Sequence, residues 1–226
     1  MTSFPPPAKP LRAVAFDMDG TLASSEDVYL HVGHETLRRR GKAFEDDLRH
    51  AMMGRPAASA LQVMIDWHEL DDTVEGLAAE SEELFWRFAG QELAPLPGVT
   101  EMFDWLDQHQ IRRGIATSGS RVYASRILEL IGLAGRFEFA ITADDVQHGK
   151  PNPEPYLLAA ERLGVEPEEM LVVEDYAVGA QSAVAAGAYT VAAPNHHTAS
   201  HEFVGVAFVA KTMADARIRQ ALLGAT

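Results

Sequence analysis

Short apolar runs that stop abruptly at polar clusters recur along the chain. Ala13-Val14-Ala15-Phe16 is followed at once by Asp17-Met18-Asp19-Gly20, the pattern of a buried strand ending in a polar loop. Ile115-Ala116 runs into Thr117-Ser118-Gly119-Ser120, Phe137 to Ile141 ends near Asp144-Asp145, and Met170 to Val173 ends in Glu174-Asp175. Tyr189 to Ala192 predicts a further strand and Val206 to Val209 a weaker one. Helices are expected between them. They run over Val99 to Gln108, Val122 to Ile131 stopping at Gly132, Pro153 to Leu163 with Gly164 after its end, and Ala177 to Ala186 before Gly187. This alternation predicts an α/β fold, a parallel sheet with helices on both faces. In open sheets of this kind chemistry collects at the carboxyl ends of the strands, where the polar clusters fall.

One stretch breaks the alternation. From Ser24 to about Pro95 no strand pattern is found, while Leu77, Ser81, Leu84, Phe85 and Phe88 follow helical spacing, and Val28 and Val32 open a similar stripe. Gly41, Gly54-Arg55-Pro56 and Asp71-Asp72 punctuate it into about four helices. The expected organisation is a discontinuous α/β core over 11–23 and 96–226, an inserted helical module over 24–95, and a loose proline-rich arm over 1–10. Ser24-Ser25 and the stiff segment Pro95-Leu96-Pro97-Gly98 are the expected hinges.

Composition narrows the function. The 226 residues are 47% hydrophobic and 23% charged, ordinary for a globular chain able to bury a core. The formal charge of −14 carries no basic footprint for nucleic acid. Cysteine is absent, which removes disulfides and thiolate chemistry and suits a reducing compartment. The arm has no apolar segment of a signal peptide, and no run reaches the ~20 apolar residues of a membrane span. A cytoplasmic location and no membrane partner are the expectations. Oligomeric state is not legible.

Asp17 and Asp19 stand together at the end of a strand, and Glu174-Asp175 places two more acids at the mouth of the sheet. Taken alone, Asp17 to Leu22 also fits a loop whose acids face solvent. Carboxylates that converge repel and raise one another's pKa, and a divalent cation such as Mg²⁺, which prefers oxygen ligands, resolves this. Lys150 can neutralise further charge, and Thr117 and Ser118 offer a hydroxyl and backbone N–H groups suited to phosphate oxygens. Phosphoryl transfer needs this inventory: a nucleophile, charge neutralisation and an acid for the leaving group.

From Leu11 to about Ala210 the chain resembles the haloacid dehalogenase superfamily of phosphohydrolases. The branch is the one with a small helical cap, which includes β-phosphoglucomutases and phosphoglycolate phosphatases. Four motifs carry the resemblance in order: Asp17-Met18-Asp19-Gly20-Thr21, Thr117-Ser118, Lys150-Pro151 and Glu174-Asp175. Gly179 and the small residues Ala180, Ala183 and Ala186 add to it. The resemblance implies a Rossmann-like core and an aspartyl-phosphate mechanism. Asp17 would be the nucleophile, and Asp19 the acid for the leaving oxygen and then the base for water. Mg²⁺ would be held by Asp17, the Asp19 carbonyl, Asp175 and Glu174, and the transferring phosphate by Thr117, Ser118 and Lys150.

Departures from the pattern sharpen the expectation. Ser24-Ser25 stands where Asp-Ser is common, and Tyr176 where a small hydroxyl residue is usual. In β-phosphoglucomutases a histidine lies in the first cap helix, and counting from the nucleophile puts Tyr29 there, with His31 and His34 offset. This favours hydrolysis over mutase chemistry. Asp19 argues against dehalogenation, and the one cap lysine, Lys42, follows Arg38-Arg39-Arg40-Gly41 at what reads as an exposed helix end. Arg55 and Tyr29 are the cap's candidates for substrate contact. His196-His197 and His201 read as a solvent loop, and Trp67, Trp86 and Trp105 as packing. The expected function is a Mg²⁺-dependent phosphatase of a small phosphorylated metabolite, such as a sugar phosphate. The alternatives are a sugar phosphomutase and, in another class, a non-catalytic phospho-acceptor module.

Overall fold

The computed structural model describes residues 4–53 and 55–224. Gly54, read above as a helix break, and Met1 to Ser3 of the expected arm lie outside the described residues. The described residues up to Ser24 and from Ala94 form one compact unit, and Ser25–Leu93 a second.

The first unit is a six-stranded parallel sheet. Its strands are β1 (Ala13–Phe16), β2 (Arg112–Ala116), β3 (Ala140–Ile141), β4 (Met170–Glu174), β5 (Tyr189–Ala192) and β6 (Phe208–Val209), in spatial order β3-β2-β1-β4-β5-β6. β1 and β4 are buried along their whole length, as expected of central parallel strands covered on both faces. Ala13 and Ala15 join Met170 and Val172 against Tyr156, Ala159 and Ala183 on one face. On the other, Phe16 packs on Phe103 and Phe137 with ring centroids 5.2 and 6.5 Å away. Pairing sets Phe16 level with Ile115 and with Val173, so the polar residues after β1, β2 and β4 emerge along one edge.

Three elements differ from the sequence pattern. β2 begins at Arg112 rather than Ile115, because Arg113 is buried and neutralised by Asp107, a pairing that an apolar pattern does not register. The run from Phe137 narrows to Ala140–Ile141, since Phe137 is spent on the aromatic cluster with Phe103. A C-terminal helix, Ala216–Leu223, buries Ile218, Ala221 and Leu222. The arm is tied down where it is described: Phe4 packs on Phe208 at 4.9 Å, and Tyr189 donates a hydrogen bond to the Pro5 carbonyl at 2.6 Å.

The second unit holds four helices: α1 (Ser25–Arg38), α2 (Asp46–Met52), α3 (Ala57–His68) and α4 (Val74–Glu92). Leu37, Leu48, Leu61, Met64 and Leu77 form its core. The Arg38-Arg39-Arg40 run becomes less exposed along its length, with side-chain exposures of 73, 35 and 20%, and Lys42 after it is exposed as expected. Glu35, Asp72 and Glu80 draw it in. Trp86 meets Phe85 edge-on, but Trp67 is 46% exposed rather than packed away. In the first unit, Trp105 stacks on His109. The remaining α-helices among the described residues, all in the first unit, are α5 (Val99–Gln108), α6 (Arg121–Leu130), α7 (Glu154–Leu163), α8 (Ala177–Ala185) and α9 (Ala216–Leu223). No described helix is long and apolar enough to cross a membrane.

Candidate active site

Asp17 follows β1, and its N–H continues the sheet ladder to the Val173 carbonyl at 3.0 Å. It therefore keeps the side-chain parity of Ala13 and Ala15, the face that carries Tyr156. Glu174 keeps the parity of Met170 and Val172 and reaches the same face. After Asp17 the chain folds back sharply: Leu22 and Ala23 both donate to the Met18 carbonyl, and Gly20 to that of Ala23. Gly20 is needed twice. Its φ is +76°, and a Cβ there would stand 2.3 Å from Asp175 Oδ2.

Lys150 lies on the loop before α7. Its ammonium donates to Asp17 Oδ1 at 2.6 Å, to Glu174 Oε1 at 2.7 Å and to the Ala116 carbonyl at 2.8 Å. Glu174 Oε1 also accepts from the Tyr156 hydroxyl at 2.6 Å. α8 passes so close that a Cβ at Gly179 would sit 1.9 Å from Glu174; only glycine lets this helix lie over that carboxylate. Asp175 accepts from Thr21 at 3.2 Å and from Asn195 at 3.1 Å. The carboxylates of Asp17, Glu174 and Asp175 are all buried, with oxygens within 4.8 Å of one another.

The second face of the site comes from β2 and α6. Thr117 Oγ1 lies 3.5 Å from Asp19 Oδ2 and accepts from the Gly119 N–H at 3.0 Å. Asp19 Oδ1 accepts from the Tyr123 hydroxyl at 2.7 Å. Ser118 is exposed at the turn. Asp17, Asp19, Thr117, Lys150, Glu174 and Asp175 are thus gathered at one strand edge. Arg55 and Tyr29 belong to the helical unit. Arg55 is exposed and donates to the Ala51 carbonyl at 2.7 Å. The Tyr29 ring is half exposed and lies 4.5 Å from that of Phe85.

Burial governs the electrostatics. Desolvation pushes the Asp17 carboxyl up to about 8, against the opposing pull of Lys150 and with the charges of Glu174 and Asp19 adding to it. Burial pulls the Lys150 ammonium down, but Asp17 and Glu174 more than reverse this and hold it well above its ordinary range. Burial, with the charge of Glu174, also keeps the Tyr156 hydroxyl protonated far above its usual range. Three neighbouring buried carboxylates, two of them paired with one ammonium, are short of positive charge, and the ligand atoms they offer are all oxygens. The set fits a hard divalent cation.

Four residues of this site carry no signal in the local pattern. Tyr156 and Tyr123 fall inside expected helices, with no polar residue directly beside either to mark them. Asn195 and Thr198 sit in the loop read as solvent, yet Thr198 is fully buried and lies 3.4 Å from Asp175 Oδ2. A polar loop that follows a strand at this edge of the sheet faces the site by topology.

The family model for haloacid dehalogenase-like hydrolases matches residues 11–187. The chain is 33% identical over 177 residues to a phosphorylated carbohydrates phosphatase of Thermotoga maritima, covering 78% of this chain and 82% of that protein. It is 31% identical over 172 residues to a fructose-1-phosphate phosphatase of Escherichia coli K12, covering 76% and 90%. A solved structure from Thermotoga maritima, described as a candidate β-phosphoglucomutase, superposes with a TM-score of 0.83 at 29% identity, over 93% of this chain and 99% of that one. Sequence match, fold and an acid-lined strand edge agree: this chain belongs to the haloacid dehalogenase-like hydrolase family.

Proposed function

We propose that this enzyme is a Mg²⁺-dependent phosphatase that hydrolyses a small phosphorylated metabolite, a sugar phosphate or similar phosphomonoester, through an aspartyl-phosphate on Asp17. The observation that carries this is the buried group of Asp17, Glu174 and Asp175, with Lys150 paired to the first two. The similarity to two sugar-phosphate phosphatases supports the substrate class.

Asp17 attacks phosphorus, and the bond to the ester oxygen breaks as Asp19 gives that oxygen its proton. Asp19 then takes a proton from the water that opens the acyl phosphate, returning Asp17 and releasing phosphate. Thr117, the Ser118 N–H and Lys150 hold the phosphoryl oxygens, and Lys150 keeps the Asp17 carboxylate aimed. Asp17, Asp175, the Asp19 carbonyl and Glu174 would hold Mg²⁺, which when bound neutralises phosphate charge and orients the phosphoryl group. Tyr156 and Gly179 keep Glu174 in place. The module over residues 24–95 is the cap of this design, hinged at Ser24-Ser25 and Pro95 to Gly98, and substrate choice is assigned to it, with Arg55 and Tyr29 as candidates. A cytoplasmic location belongs to the same reading.

The test is a set of phosphorylated metabolites incubated with and without Mg²⁺, reading free phosphate. Metal-dependent release from sugar phosphates is expected, and turnover unaffected by chelator would overturn the metal assignment. A sugar phosphomutase is the second reading, favoured by the resemblance to the Thermotoga maritima structure and weakened by Tyr29. It would interconvert isomers without releasing phosphate. A phospho-acceptor module would instead retain phosphate on Asp17.

A further inference from the structure

The loop that follows β5 touches the candidate metal site at a residue outside the four motifs. The Asn195 side chain bridges two separate parts of that site. Its Nδ2 donates to the Gly20 carbonyl at 3.0 Å and to Asp175 Oδ2 at 3.1 Å. The amide cannot be reversed. Its Oδ1 accepts from the His197 N–H at 2.7 Å, and both groups facing Nδ2 are acceptors only. The loop is closed on itself as well, with the Asn195 N–H donating to Thr198 Oγ1 at 3.1 Å.

Asp175 is loaded from both sides. Thr21 donates to Oδ1 at 3.2 Å, while Asn195 and Thr198 converge on Oδ2 at 3.1 and 3.4 Å. Three neutral donors fix the rotation of a buried carboxylate without cancelling its charge. That is what an oxygen ligand requires of its surroundings, since groups behind the ligands set their orientation. Space is tight at the same point: a Cβ on Gly20 would lie 2.8 Å from Asn195 Nδ2. The bridge therefore holds the loop after Asp17 at a set distance from Asp175.

We propose that Asn195 is a positioning residue for the divalent cation, acting through Asp175 and the Gly20 carbonyl. The proposal rests on the reading of Asp17, Glu174 and Asp175 as the metal site. Its chemistry separates the bridge from the turn: a serine at position 195 still offers an oxygen to the His197 N–H, but it is too short to reach Gly20 and Asp175.

The experiment measures binding of Mn²⁺ alone to the full chain, by the loss of the free-ion paramagnetic resonance signal, for the parent, Asn195→Ser, Asn195→Ala and Asp175→Asn. Removing a supporting partner of a metal ligand typically weakens binding about 10–100-fold. That loss is expected for Asn195→Ser and Asn195→Ala alike, with Asn195→Ser keeping a cooperative metal-free unfolding transition. Substrate KM at saturating Mg²⁺ should stay near the parent value while the Mg²⁺ concentration for half activity rises. Parent-like Mn²⁺ binding by Asn195→Ser overturns the proposal, even if Asn195→Ala is weak, because the turn alone would then matter. If Asn195→Ala does not fold, Asn195→Ser decides. Parent-like binding by Asp175→Asn would instead remove the metal-site reading itself.

Discussion

Lys150 and Arg40 each stand between two carboxylates, one cluster in each unit of the chain. Lys150 Nζ lies 2.6 Å from Asp17 and 2.7 Å from Glu174; Arg40 lies 2.7 Å from Asp72 and 2.6 Å from Glu80. The distances match and the consequences are opposite. Around Arg40 water still reaches all three side chains, and hydrogen bonding to the guanidinium holds Asp72 and Glu80 below their usual range. Around Lys150 the side chains are 7, 11 and 1% exposed, and the loss of water outweighs the lysine, so Asp17 rises to about 8. Geometry alone does not tell a stabilising ion cluster from a reactive one. Solvent does, because it sets both the cost of a charge and the reach of its partner. The arginine fork also gives Asp72 two N–H groups and Glu80 a third, whereas the ammonium spends one N–H on each of Asp17 and Glu174 and one on the Ala116 carbonyl. The exposed cluster is complete; the buried one is short of positive charge where a cation and a phosphate are proposed to bind.

The comparison can be broken most severely at Asp17. Asp17→Asn should lower phosphate release from a generic aryl phosphate by at least about 10⁴-fold, as loss of a nucleophile does elsewhere. Its metal-free thermal midpoint should not fall, because a neutral amide replaces a buried acid. Parent-like turnover would remove Asp17 as nucleophile. Next comes Lys150→Met, which strands the buried Glu174 and takes a hydrogen-bond donor from Asp17, and should cost about 3–5 kcal/mol of metal-free stability by urea unfolding. A loss no greater than that of a surface pair would mean that the buried cluster behaves like the exposed one.

The raised Asp17 ties stability to pH. The metal-free folded protein keeps a proton that the unfolded chain releases in the usual carboxylate range of about 4. Its contribution to stability is therefore present below that range and is lost as pH rises through about 8. A bound cation favours the ionised form. The rise in thermal midpoint on adding Mg²⁺ should thus be larger above about pH 8 than in mildly acidic buffer, and a rise independent of pH would contradict the shift. The smallest effect belongs to Arg40→Met, at about 1 kcal/mol in low salt and less in high salt, the range for partly exposed pairs. Aryl phosphate turnover should persist; its loss would show that the helical unit's ion cluster serves more than stability.

The candidate site was legible where each side chain follows an apolar run. Asp17, Thr117 and Glu174 are the first polar residues after β1, β2 and β4 or their last position, and a hydrophobic pattern marks such a place well. It was illegible where a residue reaches the site from elsewhere. Tyr156 looks like core because its ring is core, and only its hydroxyl touches Glu174. Asn195 looks like solvent loop because nothing nearby in sequence tells that Asp175 lies 3.1 Å away. Arg112 and Arg113 hid the start of β2 for the same reason: the acids that pair with them, Glu138 and Asp107, are supplied by the fold.

Local order along the chain determined the alternation of strands and helices, the interruption by a helical segment, and the acids placed at strand ends, since these depend on which neighbouring positions are buried together. Tertiary structure alone decided the strand order that sets β1 between β2 and β4, and with it the meeting of Asp17, Lys150 and Glu174 from distant stretches of chain. It also decided that these charges are stripped of water while those around Arg40 are not. Pairing and desolvation are properties of everything packed around a group, and no short run of residues carries them.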